Sequence, residues 1–449
     1  MQLYGWDTVW ATNVNKVNQE LINNSHQLIS TFDYQLHDDA FNADVNVKGT
    51  FAQWQIVAGG SGKLLHLQTT IQSGTMQVTG LAPQSFDLTN VSTVLEVQLD
   101  MLPSRVGQYN ELKFNFKEYS ATSNQNIDGA VTPVSVNDPD HNLKASSIAT
   151  QLLLHAVSMC LIANLSEISY VFAKLNLVDP TSNSWLLPKG SIYHYISLNN
   201  NIDQYLCILS SLVSTDVSML PAQVDPALLP GTRDASLAIS SQAFLQYVVK
   251  PSLPEVYGHG TTDANFTYSG NQITNNGNIG CDGCKVGLVN YYPTITGLQI
   301  VVDDNALRTS LSGNCDISGL PHAYFDWSVG LRNQMTFDSN SKSLSFSQDP
   351  SPTQSHSNHI PWYDYLMGAG IGAAVVAILC PIIANDTTNS LSTGTKLTMA
   401  AHPPQTVEWG DTKNFNVLEA GLSGAFYMKG ELELCQVQQY NQTQQMQAV

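Results

Sequence analysis

The sequence predicts an α+β fold in which long helices are wrapped by highly curved antiparallel β-sheets. Three observations predict it. Charged residues make up 12% of the chain, half the usual ~25%, with Asn, Ser, Thr and Gln in their place. That composition suits extended sheet with many turns better than helix bundles, whose faces carry Glu and Lys. Apolar and polar residues alternate over long stretches, with phase slips that read as bulges, and bulges are how a sheet bends. Helical-period stretches interrupt the alternation in two rounds. One of them is apolar nearly all round, so something must wrap it.

The elements follow in order. From Trp10, the residues Trp10, Val14, Val17, Leu21 and Leu28 recur at helical spacing and predict one amphipathic helix. Val45, Val47 and Phe51 then alternate with polar residues, and Trp54 and Ile56 continue one residue out of phase. This reads as a long strand with a bulge. Leu65, Leu67, Thr69 and Ile71 share one face of the next strand. Leu95, Val97, Leu99 and Met101 share another, and Leu112, Phe114 and Phe116 a third. Antiparallel hairpins connect such strands. Residues 119–143 are polar and turn-rich and read as a long loop. "ASSIATQLLLHAVSMCLIANLSE" reads as a buried helix, followed by strand signal in "ISYVFAKLNLV".

A second round begins after "DPTSNSWLLPKG". "RDASLAISSQAFLQYVVKPSLPEVY" places Leu237, Phe244, Leu245, Val248 and Val249 on one helical stripe, with Asp234 as N-cap and Pro251 and Pro254 limiting its end. Strands are expected at 286–303, 324–337 and 343–347, a loop through "SQDPSPTQSHSNHIP", then an apolar helix over 366–384. "LTMAAH", "NFNVLEAGL" and "FYMKGELEL" read as further strands. The expected organisation is one unit over 1–180, a second over 181–435 that contains helix 366–384, and a frayed Gln-rich tail over 436–449.

The apolar run 366–384 raises a membrane question. Its 19 uncharged residues reach roughly the ~30 Å hydrocarbon thickness at ~1.5 Å per residue. No Lys or Arg lies between Lys342 and Lys396 to fix an orientation. The run is rich in Gly and Ala, and Pro381 would kink or end the helix. A buried helix, with no constitutive span, is the expectation.

The net charge of −18 provides no cationic face for nucleic acid and weakens binding to an anionic membrane. Seven cysteines in a chain of this length do not form a disulfide framework. Cys160 and Cys380 read as small core residues. "MQLYGWDTVW" has no basic segment followed by an apolar one, which predicts synthesis in the cytosol and release without a signal peptide.

Catalytic motifs do not emerge. Cys281-Asp-Gly-Cys284 with Cys315 and His322 is formally a three-Cys-one-His zinc set, but its spacing is irregular. Asp-Gly is also a hairpin signal, so the two cysteines are expected to flank a hairpin tip. Gly60-Ser61-Gly62-Lys63 lacks the rest of a phosphate loop and reads as a hairpin connection. His356 and His359 have no third ligand in view. No enzyme, metal or cofactor is therefore expected.

At the N-terminus "YGWDTVWATNVNKVNQEL", "WQIVAGGSGKLLHLQTTIQSG" and "VLEVQLD" resemble the clostridial 47-kilodalton proteins encoded beside botulinum-type neurotoxins. The order of later elements is similar along most of the chain. The resemblance implies a TULIP-like (tubular lipid-binding) fold in an elongated molecule. It also implies an accessory role in a toxin gene cluster and lipid binding, phosphoinositides included.

The functional expectation is a non-enzymatic protein that holds a lipid or other hydrophobic ligand between an amphipathic helix and a concave sheet. The residues expected to touch it are Val14, Val17, Leu21, Leu65 and Leu67, with Phe244 and Val248 in the second unit. Two alternatives stand beside it: a structural partner or chaperone of a toxin or sister accessory protein without lipid cargo, and a component that inserts 366–384 into a membrane conditionally.

Overall fold

The computed structural model describes residues 1–80, 83–124, 126–175, 184–199, 201–257, 260–360, 371–393, 399–404 and 406–434. The alternation at Val45, Val47, Phe51, Trp54 and Ile56 builds the strand Ala43–Ser61, with all five side chains buried. Its partner Leu64–Thr79 follows a two-residue connection at Gly62–Lys63, where Gly62 takes φ 65°. The pair slips register three times, at Thr50/Phe51, Phe51/Trp54 and Val57/Ser61. Each slip adds local twist. Gly49 stands opposite Gly74, and a Cβ on Gly49 would lie 2.3 Å from the Ser73 carbonyl oxygen. The backbones approach there more closely than a side chain permits.

These strands belong to a ten-stranded sheet. Its path is Thr31–Asp38, Ala43–Ser61, Leu64–Thr79, Ser92–Pro103, Asn110–Asn115, Ala173–Leu175 and Val407–Trp409. Where a loop is expected over 119–143, the strand Ala130–Asn137 pairs with Ser92–Pro103. Pro133 disguises it. The proline falls at the register slip between Val94 and Leu95, where a missing N–H is tolerated. Helix α1 (Val14–Asn23) packs on the strand Ala43–Ser61, and helix α2 (Ser147–Ala163) packs against the strands Thr31–Asp38 and Ala130–Asn137. α2 is the expected buried helix, with Leu152, Leu153, Ala156, Val157, Cys160 and Leu161 each at most 1% exposed. Its His155 ring hydrogen-bonds Asp38 at 2.7 Å and packs on Tyr119.

The six-stranded sheet corrects two helix boundaries. Its order is Gly190–Leu198, Asp203–Ser211, Thr8–Asn13, Ala235–Ser240, Ala425–Leu434, Thr412–Leu422. Trp10 and Leu237 are therefore strand residues, directly paired with each other. One face of the sheet joins the large core through Trp10 and Leu237. The other carries Val9, Ala11 and Ala238 against Leu3, Trp6, Leu228 and Leu229. A strand covered on both faces loses its period-two pattern, so its run merges with the helix that follows. Each helix starts after its strand, at Asn13 and at Ser240, whose side chains accept from the Asn15 and Ala243 amides. Asp234 is not the cap; it accepts from the Leu432 amide and pairs with Lys16 at 3.6 Å.

The predicted stripe after Ser240 is broken rather than continuous. Helix α3 (Ser241–Phe244) passes through a π turn at Leu245–Val249 and a 3-10 turn at Lys250–Ser252 before α4 (Leu253–Tyr257). Pro251 and Pro254 remove amide donors there, which disfavours a regular ladder. A third sheet, on the path Phe266–Ser269, Gln272–Asn275, Thr294–Asp303, Ala306–Asp316, Tyr324–Asp338 and Ser343–Phe346, completes the main architecture. Thr353–His359 joins its edge as a fully exposed strand where a loop is expected.

Helix α5 (Ile371–Thr393) accounts for most of the predicted apolar helix; residues 366–370 lie outside the described residues, as does the tail 436–449. α5 continues through Pro381 instead of ending there. Pro381 and Ala377 are both exposed, so the carbonyl that loses its donor faces water. Val375, Val376, Leu379, Cys380, Ile383 and Ala384 are buried, while Ile378 and Ile382 are each 37% exposed. Over 372–385 the helix is thus covered on one face and exposed on the other. None of the described helices is long and apolar enough to cross a membrane. Two helices are shorter than the sequence predicts, with 10 residues in α1 and 17 in α2, whereas α5 runs on to 23.

Candidate functional site

A cavity forms where α1 ends beside the bulged strand. The Asn18 side chain makes two hydrogen bonds to the Ile56 backbone, donating to its carbonyl at 2.9 Å and accepting from its amide at 2.7 Å. The helix side chain thereby stands in for a strand neighbour. Further along, α1 gives way to a 3-10 turn at Ser25–Gln27, and the chain re-enters the sheet at Thr31. Between Phe51 and Trp54 the long strand carries one residue more than its partner. Helix end and bulge enclose about 390 Å³, lined by Leu21, Ile22, Ser25, His26, Leu28, Ile29, Ser30, Phe51, Ala52, Gln53 and Trp54. That volume is in the range of small-molecule sites. One side is aliphatic and aromatic, and Phe51 contacts both Phe32 and Trp54 at ring-centroid distances of 4.5 and 5.8 Å. Ser25, His26, Ser30 and Gln53 supply polar groups. The lining suits an amphipathic molecule with one apolar arm. A second depression, about 460 Å³, lies over the hairpin 35–46 with Gln35, His37, Asp44, Asn46 and Gln77 in its lining. It is the more polar of the two.

Of the seven residues expected to touch a ligand, Leu21 lines the cavity. Val14, Val17, Leu65, Leu67, Phe244 and Val248 sit in the continuous core, none more than 6% exposed. Leu65 and Leu67 pair with Val97 and Leu95 across the sheet, and Phe244 stacks on Phe426 at 5.2 Å. The structure does not bring the first-unit and second-unit candidates into one pocket. Sequence reasoning missed Ile22, Ile29 and the Phe51–Trp54 floor. The signal was the phase slip at the bulge, which marks where the strand leaves its ladder.

The cysteine motif is not a hairpin tip. Cys281 donates its amide to the Pro293 carbonyl at 2.8 Å, and Cys284 pairs with Tyr291. The hairpin turns instead at Gly287–Leu288, between Val286 and Val289, with Gly287 at φ 63°. Cys281, Cys284 and Cys315 are free thiols. Burial, reinforced by the neighbouring thiols, pushes Cys281 and Cys315 up to about 12, which leaves both as weak nucleophiles. Among the described residues no group of three or more His, Cys, Asp or Glu side chains is placed to hold a metal ion. His359 hydrogen-bonds Asp326 at 2.7 Å and stacks on Tyr324.

A model of the OrfX-like family, described as Protein OrfX2/OrfX3/P47, matches residues 3–348. The chain belongs to the OrfX-like family. Protein P47 of Clostridium botulinum (strain Kyoto / Type A2) is 30% identical over 370 residues, covering 80% of this chain and 84% of that protein. Protein OrfX3 of Paraclostridium bifermentans is 21% identical over 277 residues, 58% of this chain and 55% of the relative. The solved structures of P47 from C. botulinum A2 and E1 each align with a TM-score of 0.75, at 26% and 25% identity. They cover 96% of this chain and 98% and 100% of theirs. The OrfX-like match includes Tyr4–Leu21, Trp54–Gly74 and Val94–Asp100, the segments whose sequence resembles the clostridial 47-kilodalton proteins.

Proposed function

We propose that this OrfX-like protein is a non-enzymatic accessory protein of a toxin gene cluster that carries a lipid or other hydrophobic ligand, on a TULIP-like scaffold. The cavity between the end of α1 and the Phe51–Trp54 bulge is the observation that carries this reading. Its volume and its Leu21, Leu28, Ile29, Phe51 and Trp54 wall fit a single acyl chain, with Ser25, His26 and Gln53 at the polar end. Membership of a family that includes P47 supports the accessory role, with a toxin or sister accessory protein as partner. Synthesis in the cytosol, followed by release, belongs to the same proposal. Native mass spectrometry after gentle purification tests the ligand. A bound mass in the range of a fatty acid or lipid supports it. A clean unliganded mass, with no uptake from neutral phosphatidylcholine vesicles, contradicts it.

The half-exposed apolar face of α5 favours a second reading, conditional attachment to a membrane surface. Liposome flotation at neutral and acidic pH tests it. Absence of flotation at both values removes it.

A further inference from the structure

The groups around Glu20 are arranged in a way that ligand carriage does not require. Glu20 lies on the inner side of α1 at 4% exposure. Neither carboxyl oxygen has a hydrogen-bond partner among the described residues. An ionised carboxylate left without a partner in such a place is strongly disfavoured. The charged and titratable groups facing it come from four places. Lys16 stands one turn earlier on α1, but its ammonium is shared with Asp234, 3.6 Å away. Asp411 follows Gly410 in the turn that joins Val407–Trp409 to Thr412–Leu422. Tyr170 comes from the segment ahead of Ala173–Leu175, and burial raises its hydroxyl far above the ordinary range, which keeps it neutral. Among the described residues the Lys16 charge is thus offset by Asp234, and Asp411 remains as a repulsive neighbour.

The contact itself is close. Gly410 has φ 53°, and a Cβ there would lie 3.4 Å from the Glu20 Cγ and 3.6 Å from its Oε2. The carboxyl therefore rests directly on the turn. The Gly410 amide in turn donates to the Phe172 carbonyl at 2.8 Å, which ties the turn to the rest of the sheet. Lys174 does not relieve the charge, because it pairs with Glu408 at 2.7 Å.

We propose that Glu20 is a proton-operated latch between α1 and the Gly410–Asp411 turn. Protonated, the carboxyl lies on the turn as a neutral group and α1 stays docked. Ionised, it is driven toward water and the C-terminal half of α1 loosens. Leu21 and Ile22, the next residues, form one wall of the cavity, so loosening there opens it. The coupling to the cavity rests on the ligand-carrier reading; the latch itself does not. Burial, with Asp411 and Asp234 adding to it against Lys16, raises the Glu20 carboxyl above its ordinary value. A carboxyl raised on folding favours the docked state fully at low pH. That contribution is lost as pH rises from the ordinary carboxylate range through the raised value.

Hydrogen exchange of the amides 14–23, corrected for intrinsic rates, tests the latch at pH 5 and pH 8. The native chain is expected to lose about tenfold in protection at pH 8 relative to pH 5. Glu20→Gln keeps a neutral side chain of the same shape and is expected to hold its protection at both values. Asp411→Asn removes the repulsion and shifts the native transition to lower pH. Protection independent of pH in the native chain overturns the latch. So does Glu20→Gln that is less protected than the native chain at pH 8. Titration with cis-parinaric acid separates the two claims. Latch behaviour without any cis-parinaric binding leaves the latch standing and sinks the cavity reading. Binding with pH-independent protection sinks the latch alone.

Discussion

Leu67 has no exposed surface and stands between its cross-strand neighbours Ile56 and Leu95 in the long sheet. Truncation there leaves a void in a region that the flanking strands cannot collapse. Leu67→Ala is expected to lower the unfolding free energy by about 2–5 kcal/mol, read from the shift of the urea midpoint at constant slope. Asp38, at the other end of the long strand opposite Ala43, contributes by electrostatics. Burial works to raise its carboxyl, but the His155 ring and the Phe41 and Ala40 amides outweigh burial and hold it below its ordinary value. A carboxyl lowered on folding stabilises the fold above its ordinary value near 3.8. That stability is lost as pH falls through the lowered one. Asp38→Asn is expected to be about 1–3 kcal/mol less stable at pH 7, with a flatter acid limb in a plot of thermal midpoint against pH. An acid limb that parallels the native one would show that Asp38 is not a source of it.

At the scale of elements, alternation and all-round apolarity made much of the sheet and α2 legible. The slip at Trp54 and Ile56 located the bulge, and the Gly-Ser-Gly-Lys stretch located the hairpin connection. Elsewhere the pattern misled for identifiable reasons. Trp10 and Leu237 lie in strands buried on both faces, so no alternation marked where strand ended and helix began. Pro133 hid a strand because it sits at a bulge. Pro381 did not stop α5 because its side of the helix faces water. A proline in a helix interior still lacks one hydrogen bond and crowds the preceding turn. Pro381→Ala is therefore expected to raise stability by about 1–3 kcal/mol, read as a higher thermal midpoint. The site was legible only at Leu21. A cavity is a product of two segments 30 residues apart, roughly Leu21–Ser30 and Phe51–Trp54, and no local pattern announces where they fail to fill the space between them.

For the whole molecule, the six-stranded sheet sets how the chain is tied together. It places strands from the beginning, middle and end of the chain side by side, with Thr8–Asn13 between Asp203–Ser211 and Ala235–Ser240. Sequence alone showed two rounds of helix and strand without revealing that Thr8–Asn13 and Ala235–Ser240, the strands that lead into α1 and α3, pair with each other. The long sheet is closed at its far edge by Val407–Trp409 on Ala173–Leu175, a pairing across more than two hundred residues. The Glu20 contact reports on that same closure, because it joins α1 to the turn immediately after Trp409. Family membership is in keeping with this arrangement, since the P47 structures align over nearly the whole chain.

On the proposed function, the space between the end of α1 and the Phe51–Trp54 bulge receives an apolar chain. The most direct measurement is a fluorescence titration with cis-parinaric acid on the native protein and on Ala52→Trp. Ala52 is an exposed residue of the cavity wall, so an indole there fills the space without disturbing the core. Saturable binding of about one molecule per native chain is expected, with at least ~tenfold weaker binding to Ala52→Trp. Equal affinity for the two proteins, or no saturable binding to the native chain, would contradict it.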